Sequence, residues 1–117
     1  MSEEVIKIKD VLRRLQGDTE LLVELVKIFL KDAPLQLKKI KRFMSQSDFM
    51  DLAHIAHSLK GAALNIGAEK ISKSFYKMEK AANQADLTKT KKAFQQVSKD
   101  CLELKKYFPS LKKQFVC

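Results

Sequence analysis

Hydrophobic positions recur with helical spacing along most of the 117-residue chain. Spacings of three and four residues between apolar positions are typical of helices that bury one face. Apolar residues at positions 5, 8, 11, 12 and 15 predict a short first helix over residues 4–16. A second apolar series, from position 21 to position 44, predicts a long helix over residues 19–45. Because proline removes a helical hydrogen bond, we expect this second helix to kink or break near Pro34.

The second half of the chain predicts three more helices. Asp48 can cap a third helix that runs to about Ile66 and ends at Gly67. A fourth helix is predicted over residues 69–82, with Asn83 as its C-cap. A fifth is predicted over residues 87–107, capped by Asp86 and closed by Pro109.

Short connections between long helices make neighbouring helices antiparallel. The predicted fold is therefore all-α, an up-down antiparallel four-helix bundle with a short additional N-terminal helix. We predict one domain over residues 1–117, with a core from about 5 to 107 and a tail over 108–117 that frays or adds a last turn. A monomer is expected, because one bundle buries its own core.

Charge adds a question about partners. The net charge is +9, from 23 basic and 14 acidic residues, and this balance favours acidic partners such as nucleic acid or an acidic protein surface. The lysines are scattered, however, and aromatic residues do not alternate with them as a base-stacking platform requires. A basic helical adaptor that binds protein or nucleic acid is therefore the alternative hypothesis.

Sequence features also bear on the compartment. No run of 18 apolar residues is present, and the N-terminus lacks the apolar stretch of a signal peptide. We therefore expect no membrane span and a cytoplasmic location. The starting methionine and the short tail favour a free-standing protein over an excised domain.

The spacing of the cysteines and histidines does not indicate a metal site or a redox-active thiol pair. Cys101 and Cys117 are far apart and match no metal or redox spacing, so we expect a core thiol and a tail residue. His54 and His57 are three residues apart on one predicted helix, but no third ligand is evident. We predict no metal site and no bound cofactor.

His57 is the candidate for reactive chemistry. Helical spacing places Lys60 and Gly61 beside it and turns all three away from the apolar face. A neutral imidazole is a nucleophile near pH 7, and a lysine one turn away can offset the charge of a phosphoryl group. A glycine inside a helix costs about 1 kcal/mol relative to alanine, and here it removes a side chain that would block an incoming donor. The chain has no glycine-rich ATP loop, so a partner would have to supply the phosphoryl group.

The stretch AHSLKGAALNIGA, residues 56–68, resembles the histidine-containing phosphotransfer (HPt) domain family. Two further segments resemble the family: LQGDTELLVELVKIFLKDAP, residues 15–34, and SDFMDLAHIAHSLKG, residues 47–61. With the spacing to the next two helices, the resemblance covers residues 5–107. The residues that match the central pattern are Ala56, His57, Leu59, Lys60, Gly61, Gly67 and Ala68.

The resemblance implies a phosphocarrier of a two-component phosphorelay, not an enzyme that turns over alone. His57 would accept a phosphoryl group from a receiver-domain aspartate and pass it to another receiver, which supplies Mg²⁺. Lys60 would stabilise the phosphoryl group, Gly61 would give access, and Glu79 would orient the imidazole or be a plain surface carboxylate. A sensor histidine kinase, often a hybrid one, would stand upstream. A close variant is the histidine substrate domain of a chemotaxis-type kinase.

The resemblance also implies a docking surface around His57. Members of the family are often acidic, and this basic chain departs from that pattern. Residues of the first helix in the predicted surface are equally well explained as an apolar stripe that caps the bundle. The predicted docking residues are His54, Ser58, Leu64, Ile8, Val11 and Leu12.

Overall fold

A computed structural model of the chain describes residues 4–115, which form five helices and no β-strand. In chain order these helices are α1 (Ile8–Arg14), α2 (Thr19–Ser45), α3 (Phe49–Asn65), α4 (Glu69–Asn83) and α5 (Leu87–Phe115). Helix α3 packs against α2 and α4, and α5 packs against α2 and α4, while α1 contacts α2. The predicted four-helix bundle with an additional N-terminal helix is confirmed.

Three of the helices, α2, α3 and α5, begin directly after an aspartate that caps their first turn. The side chains of Asp18, Asp48 and Asp86 accept hydrogen bonds at 3.0–3.2 Å from the backbone N–H groups of Leu21, Asp51 and Lys89. Each bond satisfies a donor that the first turn of a helix leaves without a partner. The predicted caps of the third and fifth helices, Asp48 and Asp86, are therefore confirmed, and Asp18 caps the second helix in the same way.

Helix ends share a left-handed residue and a backbone hydrogen bond that spans five residues. Gly17 and Gly67 have φ values of +78° and +74°, and Ser47 and Ala85 reach +53° without being glycine. The backbone N–H groups of Gly17, Asp48, Ala68 and Asp86 donate to carbonyls five positions earlier at 2.8–3.0 Å. This C-terminal motif turns the chain sharply enough for consecutive helices to run antiparallel.

Three helix boundaries differ from the predicted ones. Helix α1 begins at Ile8 and not at residue 4, because the preceding segment is held by a 2.9 Å hydrogen bond from Lys7 N–H to the Gly67 carbonyl. Helix α4 includes Asn83 and is capped by Gln84. Helix α5 continues through Pro109 to Phe115, where Leu111 is fully buried.

The core is one cluster of apolar side chains contributed by all five helices. It includes Phe75, Met78 and Leu104, which are fully buried. Helix α2 runs as one helix through Pro34, so the predicted long helix over residues 19–45 is confirmed and the alternative of a break at the proline does not occur. Within residues 4–115, none of the helices is both long and apolar enough to cross a membrane.

A buried polar cluster joins α4 to α5. Asp100 is 3% exposed and accepts hydrogen bonds from Ser74 Oγ at 2.7 Å and from Gln96 Nε2 at 2.9 Å. Cys101 is buried beside it, as predicted, and this burial together with the Asp100 charge raises the pKa of the thiol to about 12. Cys117 lies outside the described residues.

Candidate functional site

His57 stands in the exposed face of α3. Its side chain is 65% exposed, whereas Ala56 and Leu59 on the same helix are buried. The helical period explains the contrast, since apolar positions 52, 56, 59 and 63 face the core and position 57 turns away from them. The predicted outward orientation of His57 is confirmed.

Glu79 of α4 meets the imidazole directly. Glu79 Oε2 lies 2.9 Å from His57 Nδ1, and Glu79 Oε1 accepts a hydrogen bond from Lys60 Nζ at 3.2 Å. Both of its oxygens are therefore engaged by the two α3 residues that the sequence singles out. The carboxylate is 17% exposed, which limits competition from water.

The ionisation of Glu79 decides which tautomer of His57 is present. Burial raises the pKa of the Glu79 carboxyl, but hydrogen bonds from Lys60 and His57 outweigh burial and lower the pKa overall. An ionised carboxylate only accepts hydrogen bonds, so Nδ1 carries the proton in this contact. In the neutral imidazole, Nε2 then holds the free lone pair and is the nucleophilic nitrogen.

Gly61 lies beside this site in open space. Among residues 4–115, a Cβ atom at Gly61 would meet no other atom within 4 Å, leaving out the backbone of its own helix and its chain neighbours. Internal packing therefore does not require a glycine at this position, although glycine weakens the helix by about 1 kcal/mol. The opening leaves the α3 backbone accessible one turn beyond His57.

The helices that carry the site are also tied together by polar contacts. Ser72 Oγ of α4 donates to the Lys60 carbonyl of α3 at 3.1 Å. Tyr76 of α4 places its ring 4.8 Å from Lys60 Nζ and 4.6 Å from Lys80 Nζ. Such cation–π contacts restrict the lysine head groups.

Sequence reasoning missed the roles of Ser72, Tyr76 and Lys80 around the site. Helical spacing could have indicated two of them. Tyr76 lies three residues before Glu79 and four before Lys80, so it shares a face of α4 with one or the other. The hydrogen bond of Ser72 depends on how α3 and α4 pack, and the sequence pattern does not contain that information.

The predicted docking residues divide into two groups. His54, Ser58 and Leu64 are exposed on α3, the helix that carries His57. Leu64 is 43% exposed, and its carbonyl accepts a 2.8 Å hydrogen bond from Arg14 Nη2 at the end of α1. These three residues lie within about two helical turns of His57 and could contact a partner that reaches it.

The α1 residues are placed differently. Val11 is fully buried and approaches Gly67, so the prediction that Val11 is an exposed docking residue is wrong. Its packing follows the other interpretation, in which the apolar stripe of α1 caps the bundle. Ile8 and Leu12 are half-buried and line a groove with Gln114 and Phe115 at the end of α5.

Carboxylates and histidines do not gather into a metal centre in the described part of the chain. Among residues 4–115, no group of three or more His, Cys, Asp or Glu side chains is arranged to hold a metal ion. His54 and His57 therefore have no third ligand beside them there. The chemistry of the site rests on one imidazole, one carboxylate and one ammonium group.

These features define an all-helical bundle with one exposed histidine held by a carboxylate and flanked by a lysine and an open glycine. The sequence profile of the Hpt domain matches residues 24–111, which is more than half of the chain. The chain therefore belongs to the Hpt domain family, whose members are phosphocarrier modules of phosphorelays. The expected family is confirmed.

A solved structure supports the fold. It is described as that of a "putative histidine-containing phosphotransfer protein" from rice. The alignment has a TM-score of 0.81 and 21% sequence identity, and it covers 97% of this chain and 85% of the rice chain. At this identity the likeness concerns the fold alone. Among curated proteins, no sequence matches the chain significantly.

Proposed function

We propose that the protein carries a phosphoryl group on Nε2 of His57 between receiver domains of a two-component phosphorelay. The observation that carries this proposal is the 2.9 Å contact between His57 Nδ1 and Glu79, on a side chain that is otherwise exposed. The contact fixes one nitrogen and leaves the other free for reaction.

The transfer step follows from this arrangement. The Nε2 lone pair attacks the phosphorus of an aspartyl phosphate on the partner, forming the N–P bond. The bond between phosphorus and the aspartate oxygen breaks, and the aspartate leaves as a carboxylate with the bonding electrons. Nδ1 keeps its proton, and the developing positive charge on the imidazole is stabilised by Glu79. Transfer to the next receiver is the same step in reverse.

Lys60 and Gly61 have separate roles in this proposal. Lys60 is 24% exposed and held by Glu79 and Tyr76, so its ammonium group is restrained beside the carboxylate that contacts the imidazole. It would offset part of the negative charge of the phosphoryl group. The open space at Gly61 admits the surface of the partner around its aspartate.

The remaining chemistry belongs to the partner. Mg²⁺ held by carboxylates of the receiver would neutralise charge on the phosphoryl oxygens. We place the protein in the cytoplasm as a monomer and a single domain over residues 1–117, downstream of a sensor histidine kinase that is often a hybrid one. If the chain were instead the histidine substrate domain of a chemotaxis-type kinase, Nε2 of His57 would still be the nitrogen that accepts the phosphoryl group.

A mass measurement tests the proposal. The chain is incubated with phosphorylated receiver domains and Mg²⁺, and its intact mass is measured at alkaline pH, where phosphohistidine persists. We expect one acid-labile phosphoryl group on the native chain and none on His57→Gln. His54→Gln is the matched control for the site of attachment, because it removes the other exposed histidine of α3 and keeps His57. We expect it still to gain one phosphoryl group at the end point, at a rate that reports any part His54 takes in docking.

Two results would contradict the proposal. Equal phosphorylation of native chain and His57→Gln would place the modification elsewhere. No phosphorylation across a broad panel of receivers and kinases would favour a basic adaptor whose histidine is not used. Such an adaptor would instead show binding that weakens steeply with salt.

A further inference from the structure

A groove between α4 and α5 gathers lysines from both helices. Lys77 and Lys80 of α4 line it together with Lys89 and Lys92 of α5, around a floor formed by Ala81 and Ala93. The volume of the groove is about 430 Å³. The two alanines are buried, whereas the four lysines around them are exposed to solvent.

The charge of this groove is not balanced within the described residues. All four lysines are exposed, and among residues 4–115 none of them forms a salt bridge. Lys60, in contrast, is paired with a carboxylate at the functional site. Like charges at this proximity repel one another, and an anionic partner would relieve the repulsion.

The groove adjoins the His57 site. Lys80 and Lys60 both contact the ring of Tyr76, at 4.6 Å and 4.8 Å, and Lys60 donates to Glu79. The path from the groove to the imidazole therefore passes through side chains in direct contact. Lys80 is therefore the groove lysine that this series of contacts connects to the His57 site.

The geometry points to an acidic protein surface as the occupant of the lysine groove, on the partner that exchanges a phosphoryl group with His57. This inference rests on the proposed function, because a partner that holds Mg²⁺ with carboxylates beside its aspartate is acidic around its own site. Charge complementarity across the contact would speed the encounter and fix the orientation of the partner.

Nucleic acid fits this groove less well. Single strands bind by stacking bases on aromatic rings as well as by charge. Among the described residues that line the groove, none is aromatic. The ring of Tyr76, which Lys80 of the groove contacts, is also contacted by Lys60. The groove thus offers charge without a free stacking surface.

Paired substitutions test the inference. Lys77→Gln with Lys92→Gln removes one charge from each side of the groove, and Lys106→Gln with Lys113→Gln removes two exposed charges from α5 outside it. The first control position lies about 21 Å along the helix from Lys92. Binding of Mg²⁺-loaded receiver domains is measured in the His57→Gln background, and transfer is measured in the native background.

We expect the groove pair to weaken receiver binding and slow transfer about 3- to 10-fold at low salt. The control pair should change either quantity less than twofold, and the difference between the two pairs should fade at high salt. Binding that depends on the groove would support the inference even if His57 accepted no phosphoryl group, in which case only the proposed function would fail.

Equal effects of the two pairs would overturn the inference, because net charge alone would then explain them. Receiver binding that ignores the groove pair, or the absence of receiver binding, would also overturn it. Groove-dependent binding of an oligonucleotide with unchanged receiver binding would assign the lysines to nucleic acid instead.

Discussion

Gly61 and Gly67 lie six residues apart and exist for opposite reasons. A Cβ atom on Gly67 would come within 3.1 Å of Val11 Cβ, and its backbone is left-handed with φ at +74°. A Cβ atom on Gly61 would meet nothing within 4 Å, and this residue lies inside α3. The fold requires a glycine at 67, whereas the packing of residues 4–115 does not require one at 61.

The difference separates two regions of the molecule. Around Gly67, the buried side chains of Ile6 and Val11 close the junction between α3, α4 and the N-terminal segment. Around Gly61, the surface is open and carries His57 and Lys60. The proposed function gives such a glycine a role, because it keeps the surface beside His57 open for a partner.

The largest expected effect is loss of stability at the closed junction. Gly67→Ala should lower the free energy of unfolding by about 2–4 kcal/mol, because it combines a left-handed backbone with overpacking against Val11. Gly17→Ala is the matched control, since Gly17 has φ at +78° but nothing within 4 Å of its Cβ position. Gly17→Ala should lower the free energy of unfolding by only about 1–2 kcal/mol, the cost of placing alanine in a left-handed backbone conformation.

Urea unfolding of both variants checks this prediction. The difference between the two losses gives the contribution of the close contact with Val11. Equal losses of unfolding free energy for Gly67→Ala and Gly17→Ala would show that the contact with Val11 is unimportant. Close packing would then not distinguish the surroundings of Gly67 from those of Gly61.

Gly61→Ala should separate stability from function. We expect phosphotransfer to slow about 10- to 100-fold, because a methyl group would displace the docked partner from its reactive position. The same variant should gain about 0.5–1 kcal/mol in the free energy of unfolding, since alanine is the better helix residue. Transfer rates and urea unfolding of one sample test both parts.

The gain in stability serves as the internal control of that experiment, because a slower yet more stable variant has not lost activity by unfolding. Unchanged transfer in Gly61→Ala would contradict the role of the open space. The opening would then be only a feature of the helix surface.

Glu79→Gln should have a smaller effect on transfer. The amide keeps an oxygen that can accept from Nδ1–H but loses its charge, which weakens the bond by about 1 kcal/mol and slows transfer about fivefold. Transfer rates of the variant test this value. A rate equal to that of the native chain would reduce Glu79 to a surface carboxylate.

The same variant makes a prediction about pH. The pKa of Glu79 in the folded chain lies below its ordinary value of 4.5, so its stabilising contribution is present above about pH 4.5 and is lost as pH falls through the folded pKa. Glu79→Gln lacks this contribution at every pH. The stability difference between native chain and variant should therefore shrink as pH falls below about 4.5 in urea unfolding. A stability difference that does not change with pH would show that the ion pairs of Glu79 with His57 and Lys60 do not stabilise the fold.

Sequence patterns predicted most of the fold, because the helical spacing of apolar residues and the N-cap residues both depend only on residues close together in the chain. Asp48 and Asp86 each follow a helix end and cap the next helix, so both could be recognised from neighbouring residues alone. The extension of α5 past Pro109 could not. A proline inside a helix costs about 3 kcal/mol, and burial of Leu111 in the core offsets much of that cost.

The candidate site divides in the same way. His57, Lys60 and Gly61 are neighbours on one helix, and spacing was enough to group them. The contact of Glu79 with both α3 side chains depends on the packing of α3 against α4, so the sequence offered its role only through the family resemblance. Val11 was misplaced because apolar spacing on α1 does not tell which face meets Gly67.

The proposal that Nε2 of His57 carries the phosphoryl group is tested by locating that group on the imidazole. The chain is phosphorylated by a receiver domain after labelling of the histidine nitrogens with ¹⁵N, and NMR at alkaline pH shows which nitrogen of which histidine bonds to phosphorus. The account predicts Nε2 of His57, with Nδ1 still protonated and bonded to Glu79. A phosphoryl group on Nδ1 of His57, or on His54, would contradict it.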